Sequence, residues 1–218
     1  MTLFEAYDAI LALGAAPAMG ATRAGAGAAG ERAAHVATMR ATFEGRTGAF
    51  VPEDPWFEAR SRAFWDDAVT TQGFARTIED ELPERARVWV PRLERAHRGL
   101  FVPAGRGSRD AVVLRDVWGG AEMVVHDIDD AMRDALAAAS APLDARLVGS
   151  DDPARVGILP GAVFHPADAA APIEAVLAKA RSDGRTTGDV LDALLRMERG
   201  LRASARVKAG YAYRPERL

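Results

Sequence analysis

The chain has 218 residues, of which 49% are hydrophobic and 27% are charged, and its formal net charge is −3. This composition is typical of a globular protein and excludes a chain that is disordered throughout. It contains no cysteine, which excludes disulfide bonds, thiol catalysis and cysteine-ligated metals. The acidic Glu5 and Asp8 are atypical of a secretory signal, and no apolar run reaches the roughly 20 residues that span a bilayer. We therefore expect a cytoplasmic protein with no membrane association.

Residues 1–14 are predicted to form an N-terminal helix. Thr2 and Glu5 have the spacing of a capping box, in which each residue satisfies a free backbone N–H of the other. Apolar residues follow at helical spacing: Leu3, Phe4, Tyr7, Ile10 and Leu11. Residues 15–30 are rich in alanine and glycine, so we interpret them as a linker or loop. The remaining residues, 31–218, are expected to form a globular α+β domain.

Residues 31–100 are predicted to be helical. Asp54 followed by Pro55 is typical of a helix start, because aspartate caps the free N–H groups and proline suits the first helical position. Four aromatic residues follow, which we interpret as a core anchor that packs on a sheet: Trp56, Phe57, Phe64 and Trp65. Residues 74–100 carry an apolar stripe of helical period. Pro83 and Pro91 interrupt it, which predicts a break into consecutive helices, and Gly99 is interpreted as the stop.

Residues 110–166 are the only part of the sequence with β-strand character. Two apolar runs, 111–118 and 122–126, are separated by Gly119 and Gly120. This pattern predicts a hairpin, since the tight turns that join antiparallel strands need positive φ angles that glycine adopts without steric cost.

A second hairpin is predicted from the runs at 143–148 and 155–164, which flank a turn-forming segment at 149–153. Residues 127–139, between the two hairpins, have helical spacing. Together the runs predict about four antiparallel strands in residues 110–166, as a small sheet or a partly closed barrel. Residues 170–210 are again predicted to be helical, and the fold class is therefore α+β, helix-dominated, in a single domain.

Three of the four histidines are candidates for metal ligands. His126 and Asp127 are adjacent, and imidazole with carboxylate suits a hydrolytic metal; His97 and His165 could complete such a set. The competing interpretation is structural, because the aspartates that follow His126 also favour the start of the next helix. We favour the structural interpretation, assign no catalytic residue and expect no cofactor.

Charge is distributed unevenly along the chain. Residues 110–152 contain ten acidic and three basic residues, a net charge of −7, whereas residues 196–218 contain seven basic and two acidic residues, a net charge of +5. Three of these arginines are spaced to share one helical face, and two tyrosines follow, which together form the candidate partner-binding set: Arg199, Arg202, Arg206, Tyr211 and Tyr213. A solvated face, or pairing with the acidic segment of the same chain or of a second copy, would explain the same pattern.

These observations favour a non-enzymatic interaction or regulatory protein, which binds a protein partner in part through the basic C-terminal helix. The partner could be a second copy of the chain, in a homodimer. One alternative is a metal-dependent hydrolase that uses His126 and Asp127. Another is nucleic-acid binding through the C-terminal arginines.

Overall fold

The computed structural model of the protein describes residues 1–15, 23–106, 111–126, 128–152, 155–204 and 206–218. Within these ranges the α-helices are α1 (Leu3–Ala15), α2 (Arg23–Thr47), α3 (Phe57–Thr70), α4 (Phe74–Thr77), α5 (Glu84–Arg87), α6 (Val90–Leu93), α7 (Asp130–Ala138), α8 (Ala170–Ser182), α9 (Thr187–Arg202) and α10 (Ala209–Ala212). The strands are β1 (His97–Arg106), β2 (Ala111–Asp116), β3 (Glu122–His126), β4 (Leu143–Gly149), β5 (Val156–Ile158) and β6 (Val163–Phe164). The predicted class, a helix-dominated α+β domain, is confirmed.

The strands close into a small barrel. β1 pairs antiparallel with β2, and β2 pairs antiparallel with β3. β3 runs parallel to β5, β5 pairs antiparallel with β4, and β4 pairs back with β1. β6 adds a short pairing to β4. The strand order around the barrel is therefore β1-β2-β3-β5-β4, and α7 lies between β3 and β4 in the chain.

Both predicted hairpins are confirmed. In the first, β2 and β3 pair with Arg115 opposite Glu122, and Gly120 in the turn has a φ of +76°, which favours glycine. In the second, β4 pairs with β5. The predicted strand at 155–164 is divided into β5 and β6, because the chain between them packs on α3. A Cβ atom on Gly161 would lie 2.5 Å from the backbone oxygen of Arg62.

The prediction missed β1 and therefore placed the start of the sheet too late. Residues 97–100 were assigned to the helical stripe and Gly99 to its end, but Gly99 pairs with Ala145 inside the barrel. β1 also contains Pro103 and Gly105, and glycine and proline are depleted in strands. Gly99 is required by packing, since a Cβ atom there would lie 2.6 Å from the ring of Phe101.

The predicted linker at 15–30 is wrong in its second half. Residues 23–30 form the first turns of α2, while residues 16–22 lie outside the described ranges. The segment was interpreted as low in complexity because of its many alanines, but alanine also has the strongest intrinsic preference for helix. The other helical predictions hold better: the capping box of Thr2 and Glu5 forms, and residues 74–93 break into α4, α5 and α6 near Pro83 and Pro91.

Three apolar clusters hold the fold together. The first joins the N-terminal helices to one side of the barrel and contains Phe64, which contacts Phe43 edge to face at 6.0 Å and shares the cluster with Val148 and Val163. The predicted aromatic anchor is therefore confirmed for Phe64. The second cluster packs α8, α9 and α10 together, and the third fills the barrel.

Candidate partner-binding pocket

A pocket of about 570 Å³ lies near the C-terminal end of the chain, and we call it the C-terminal pocket. The last turn of α9, the connection that follows it, α10 and the final turn of the chain form its walls. Its lining residues are Gly200, Ser204, Arg206, Val207, Lys208, Tyr211, Ala212, Arg214 and Arg217. The volume lies within the range of small-molecule and peptide side-chain pockets.

The position of the pocket follows from where α9 ends. Thr186 caps α9 by accepting a hydrogen bond from Asp189 N at 3.2 Å. The apolar face of α9 is buried and fixes the helix on the domain. The helix ends at Arg202, and Arg206 lies beyond it with a φ of +71°, a conformation that is uncommon outside glycine.

Buried contacts hold the segment after α9 in place. Ala209 and Ala212 of α10 are buried in the second apolar cluster, and Ala209 N donates to an Asp168 carboxylate oxygen at 3.3 Å. The Tyr213 hydroxyl lies 2.7 Å from His165 Nδ1, and the two rings meet edge to face. The C-terminal pocket therefore has an ordered floor, although its walls are exposed.

Burial shifts both groups of the His165–Tyr213 pair away from their charged forms. It lowers the pKa of His165 to about 4 and raises the pKa of Tyr213. The imidazole is thus neutral at neutral pH, and Tyr213 is only 1% exposed. This pair anchors the segment and is closed to an external ligand.

The four cationic residues of the C-terminal pocket have no charged partner. Arg206, Lys208, Arg214 and Arg217 are exposed, and their side chains form neither an ion pair nor a hydrogen bond within the described part of the chain. The guanidinium of Arg214 lies 5.1 Å from the centre of the Tyr211 ring, a cation–π contact. Among the described residues that line the pocket none is acidic, so its potential is positive.

Exposed apolar surface lies in the same pocket. Tyr211 is 60% exposed and Val207 is 40% exposed, and both belong to the small set of large hydrophobic residues on the surface. Tyrosine and arginine are the residue types that most often carry binding energy at protein interfaces. The pocket thus combines positive charge with apolar contact area.

The structure places the five predicted partner-binding residues in three different environments. Arg206 and Tyr211 line the C-terminal pocket. Arg199 donates to the backbone oxygen of Ala49 at 3.0 Å, and Arg202 is hydrogen-bonded to Glu198 one turn earlier. Tyr213 is buried. The predicted shared helical face is wrong, because α9 ends before Arg206, and the prediction for Tyr213 is wrong because of its burial.

Lys208, Arg214 and Arg217 were counted in the basic segment but were not assigned to the site. Periodicity could not select them, since they follow the end of α9 and lie on a connection, a short helix and a turn. The available signal was the density of basic residues after Arg206 with Glu216 as the only acid.

Three arginines, Arg46, Arg98 and Arg146, form ion pairs with aspartates of other elements. Arg98 donates to Asp144 at 2.8 Å and to Asp192 at 2.7 Å, which joins β1, β4 and α9. Arg146 donates to Asp67 at 2.6 Å. Arg46 bridges Asp67 and Asp192, so these ion pairs form one continuous network between the N-terminal helices, the barrel and α9.

Asp66, beside this network, is a buried carboxylate with neutral donors. Its oxygens accept from the Tyr7 hydroxyl at 2.6 Å and from Gly161 N at 2.9 Å, which ties α1 and the β5–β6 connection to α3. Burial raises the pKa of Asp66 to about 7, against the opposing effect of Arg146. These contacts join three elements of the fold, so we interpret the residue as structural.

The candidate metal ligands have separate environments. His97 Nε2 lies 3.0 Å from an Asp116 carboxylate oxygen, His165 contacts Tyr213, and His126 ends β3 opposite Ala111. Asp127 lies outside the described ranges. Among the residues that the structure does describe, no three metal-ligating side chains come together. Asp129 caps α7 by accepting from Met132 N at 2.7 Å, as the structural interpretation expects.

No protein-family model, curated protein or solved structure matches this chain. Within the described ranges, no helix has both the length and the apolar character needed to cross a bilayer.

Proposed function

We propose that the protein is a non-enzymatic binding protein, and that its C-terminal pocket receives an acidic segment of a partner protein. The observation that carries this proposal is a set of four cations that form no ion pair with any described residue and that lie around the exposed Tyr211 and Val207. Unpaired cations attract acidic side chains, and the apolar surface favours a partner that also presents apolar side chains.

A separate partner is favoured over a second copy of the chain. Part of the charge of the acidic segment, which could otherwise face the pocket of a twin, is already engaged within the chain. Asp144 pairs with Arg98, Asp130 with Arg133, and Asp151 with Arg92, while Asp116 contacts His97. These pairs reduce the negative charge that the barrel offers to another molecule.

The direct test is charge reversal in the pocket. We expect the triple variant R206E/R214E/R217E to lose the proteins that the wild type captures from a lysate of its source cells. The matched control is R62E/R85E/R95E, which changes net charge by the same amount at three exposed arginines outside the pocket. Quantitative mass spectrometry would compare the captured proteins. Equal capture by the wild type and the pocket variant would contradict the proposal.

Nucleic acid is the second candidate, and the exposed Tyr211 ring among cations favours it, since bases stack on such rings. The surface of the barrel gives less support to nucleic-acid binding. On the β2–β3 face of the barrel, Arg115 lies opposite Glu122 and Val113 lies opposite Val124, without excess positive charge. Binding of a labelled single-stranded oligonucleotide that weakens steeply with salt would favour this candidate, and no binding at low salt would exclude it.

A further inference from the structure

The C-terminal pocket holds several positive charges in a small volume. Separate carboxylates that neutralised these charges would repel one another. Four cations and no acid line about 570 Å³. Several aspartate or glutamate side chains in that volume would lie close together, and like charges at short range oppose binding. A phosphate monoester instead carries about −1.5 to −2 charges and three acceptor oxygens on one group.

The types of cation also fit a phosphate. Three of the four are arginines, whose planar guanidinium groups donate two parallel hydrogen bonds to phosphate oxygens. They approach from different parts of the chain: Arg206 from the connection after α9, and Arg214 and Arg217 from the last residues. The side chain of Arg217 reaches α9. Its Nη1 atom would lie 4.0 Å from a Cβ atom added to Gly200.

Two details of the pocket point to a ligand rather than to solvent. Arg206 keeps a left-handed backbone conformation that glycine would adopt more easily, and such outliers are enriched at binding sites. The Tyr211 ring is covered on one side by Arg214 yet remains 60% exposed, which leaves apolar surface beside the cations. A phosphate carried on an organic body would use both features.

We propose that the C-terminal pocket recognises a phosphate monoester on the partner segment, with Arg206, Arg214 and Arg217 on the phosphate oxygens and Tyr211 against the body that carries it. This proposal rests on the proposed function, because it names the group through which the acidic partner is bound. Lys208 adds positive charge at the same pocket.

The first test uses three small probes in NMR titrations of the full chain: phenyl phosphate, benzoate and inorganic phosphate. We expect phenyl phosphate to bind about ten-fold more tightly than benzoate, because it offers more charge and a third oxygen. It should also bind more tightly than inorganic phosphate, because its ring can contact Tyr211. R206E/R214E/R217E should lose the phenyl phosphate shifts, whereas R62E/R85E/R95E should keep them. Equal affinity for phenyl phosphate and benzoate, or shifts that persist in the pocket variant, would overturn the proposal; equal affinity for inorganic phosphate would identify a free-phosphate site instead.

The second test separates this proposal from the proposed function. Lysate treated with a phosphatase would be compared with untreated lysate in the capture experiment. Loss of pocket-dependent capture after treatment is the expected result. Capture that still requires the pocket arginines but survives the phosphatase would overturn the phosphate proposal and leave the acidic-partner proposal standing. Capture that never requires those arginines would overturn both.

Discussion

Arginine has two distinct roles in two regions of this molecule. Between the helices and the barrel, Arg46, Arg98 and Arg146 are buried or partly buried and each bonds to aspartates that come from other elements of the fold. At the C-terminal pocket, Arg206, Arg214 and Arg217 are exposed and have no charged partner within the described residues. A buried charge must be paired because desolvation is costly, whereas an exposed charge remains solvated until a ligand arrives. We therefore expect the arginines that pair with aspartates to contribute to stability, and we propose that those of the pocket contribute to binding.

The largest loss of stability is expected when a buried carboxylate that binds arginines is removed. Asp67 is wholly buried and accepts hydrogen bonds from Arg46, Gln72 and Arg146. Asp67→Ala should lower the free energy of unfolding by about 3–5 kcal/mol, because it leaves buried positive charge unpaired. Urea denaturation measures the change. Asp130→Ala is the control, since its pair with Arg133 is on the surface and should contribute less than about 1 kcal/mol. Similar losses in both variants would contradict the distinction.

The next prediction concerns the contribution of Asp66 to the pH dependence of stability. Its pKa is about 7 in the folded protein, against about 3.9 in an unfolded chain. Between these values the folded state holds a proton that the unfolded state has released, so this residue lowers the free energy of unfolding as pH rises from about 4 to 7. Asp66→Asn mimics the protonated form and should remove that loss, on the order of 3 kcal/mol at pH 7.

His165 acts in the opposite direction and must be separated from Asp66. Its folded pKa of about 4 lies below the usual value near 6.5, so its contribution to stability is lost as pH falls through this range. The two slopes therefore partly cancel in the wild type. The informative quantity is the difference in stability between Asp66→Asn and the wild type, which should grow from pH 4 to pH 7. A difference that is constant with pH would refute the assignment to Asp66.

A smaller effect distinguishes the two neighbouring tyrosines. Tyr213→Phe removes the hydroxyl that contacts His165 and leaves a buried imidazole nitrogen without a partner, which should cost about 1–2 kcal/mol. Tyr211→Phe should change the free energy of unfolding by less than about 0.5 kcal/mol, because that side chain is exposed. Thermal unfolding of both variants checks the prediction. Equal destabilisation would mean that Tyr211 also belongs to the core.

Local chemistry made part of the fold predictable. The Gly119–Gly120 turn and the capping pairs of Thr2 with Glu5 and Thr186 with Asp189 depend on neighbours in sequence, and each one forms. β1 was missed because its pairing with β4 closes the barrel across about fifty residues, and no local pattern encodes that contact. Gly99 itself is fixed by the ring of Phe101, two residues further along the same strand.

The candidate site was predictable only in outline. The excess of basic residues near the C-terminus is visible in the sequence, and Arg206 and Tyr211 do line the pocket. Helical periodicity, however, could not show that α9 ends at Arg202, nor that Tyr213 turns inward while Tyr211 turns outward. Those outcomes depend on the packing of α10 against α8 and α9, which is a tertiary property.

Capture of partner proteins by R206E/R214E/R217E, measured beside the thermal unfolding of the same variant, is the most direct test of the role of the C-terminal pocket. We expect capture to be lost while the melting temperature stays close to that of the wild type, because these arginines form no ion pair or hydrogen bond with the described residues. Capture equal to that of the wild type, or a large fall in melting temperature, would contradict a binding role for these arginines.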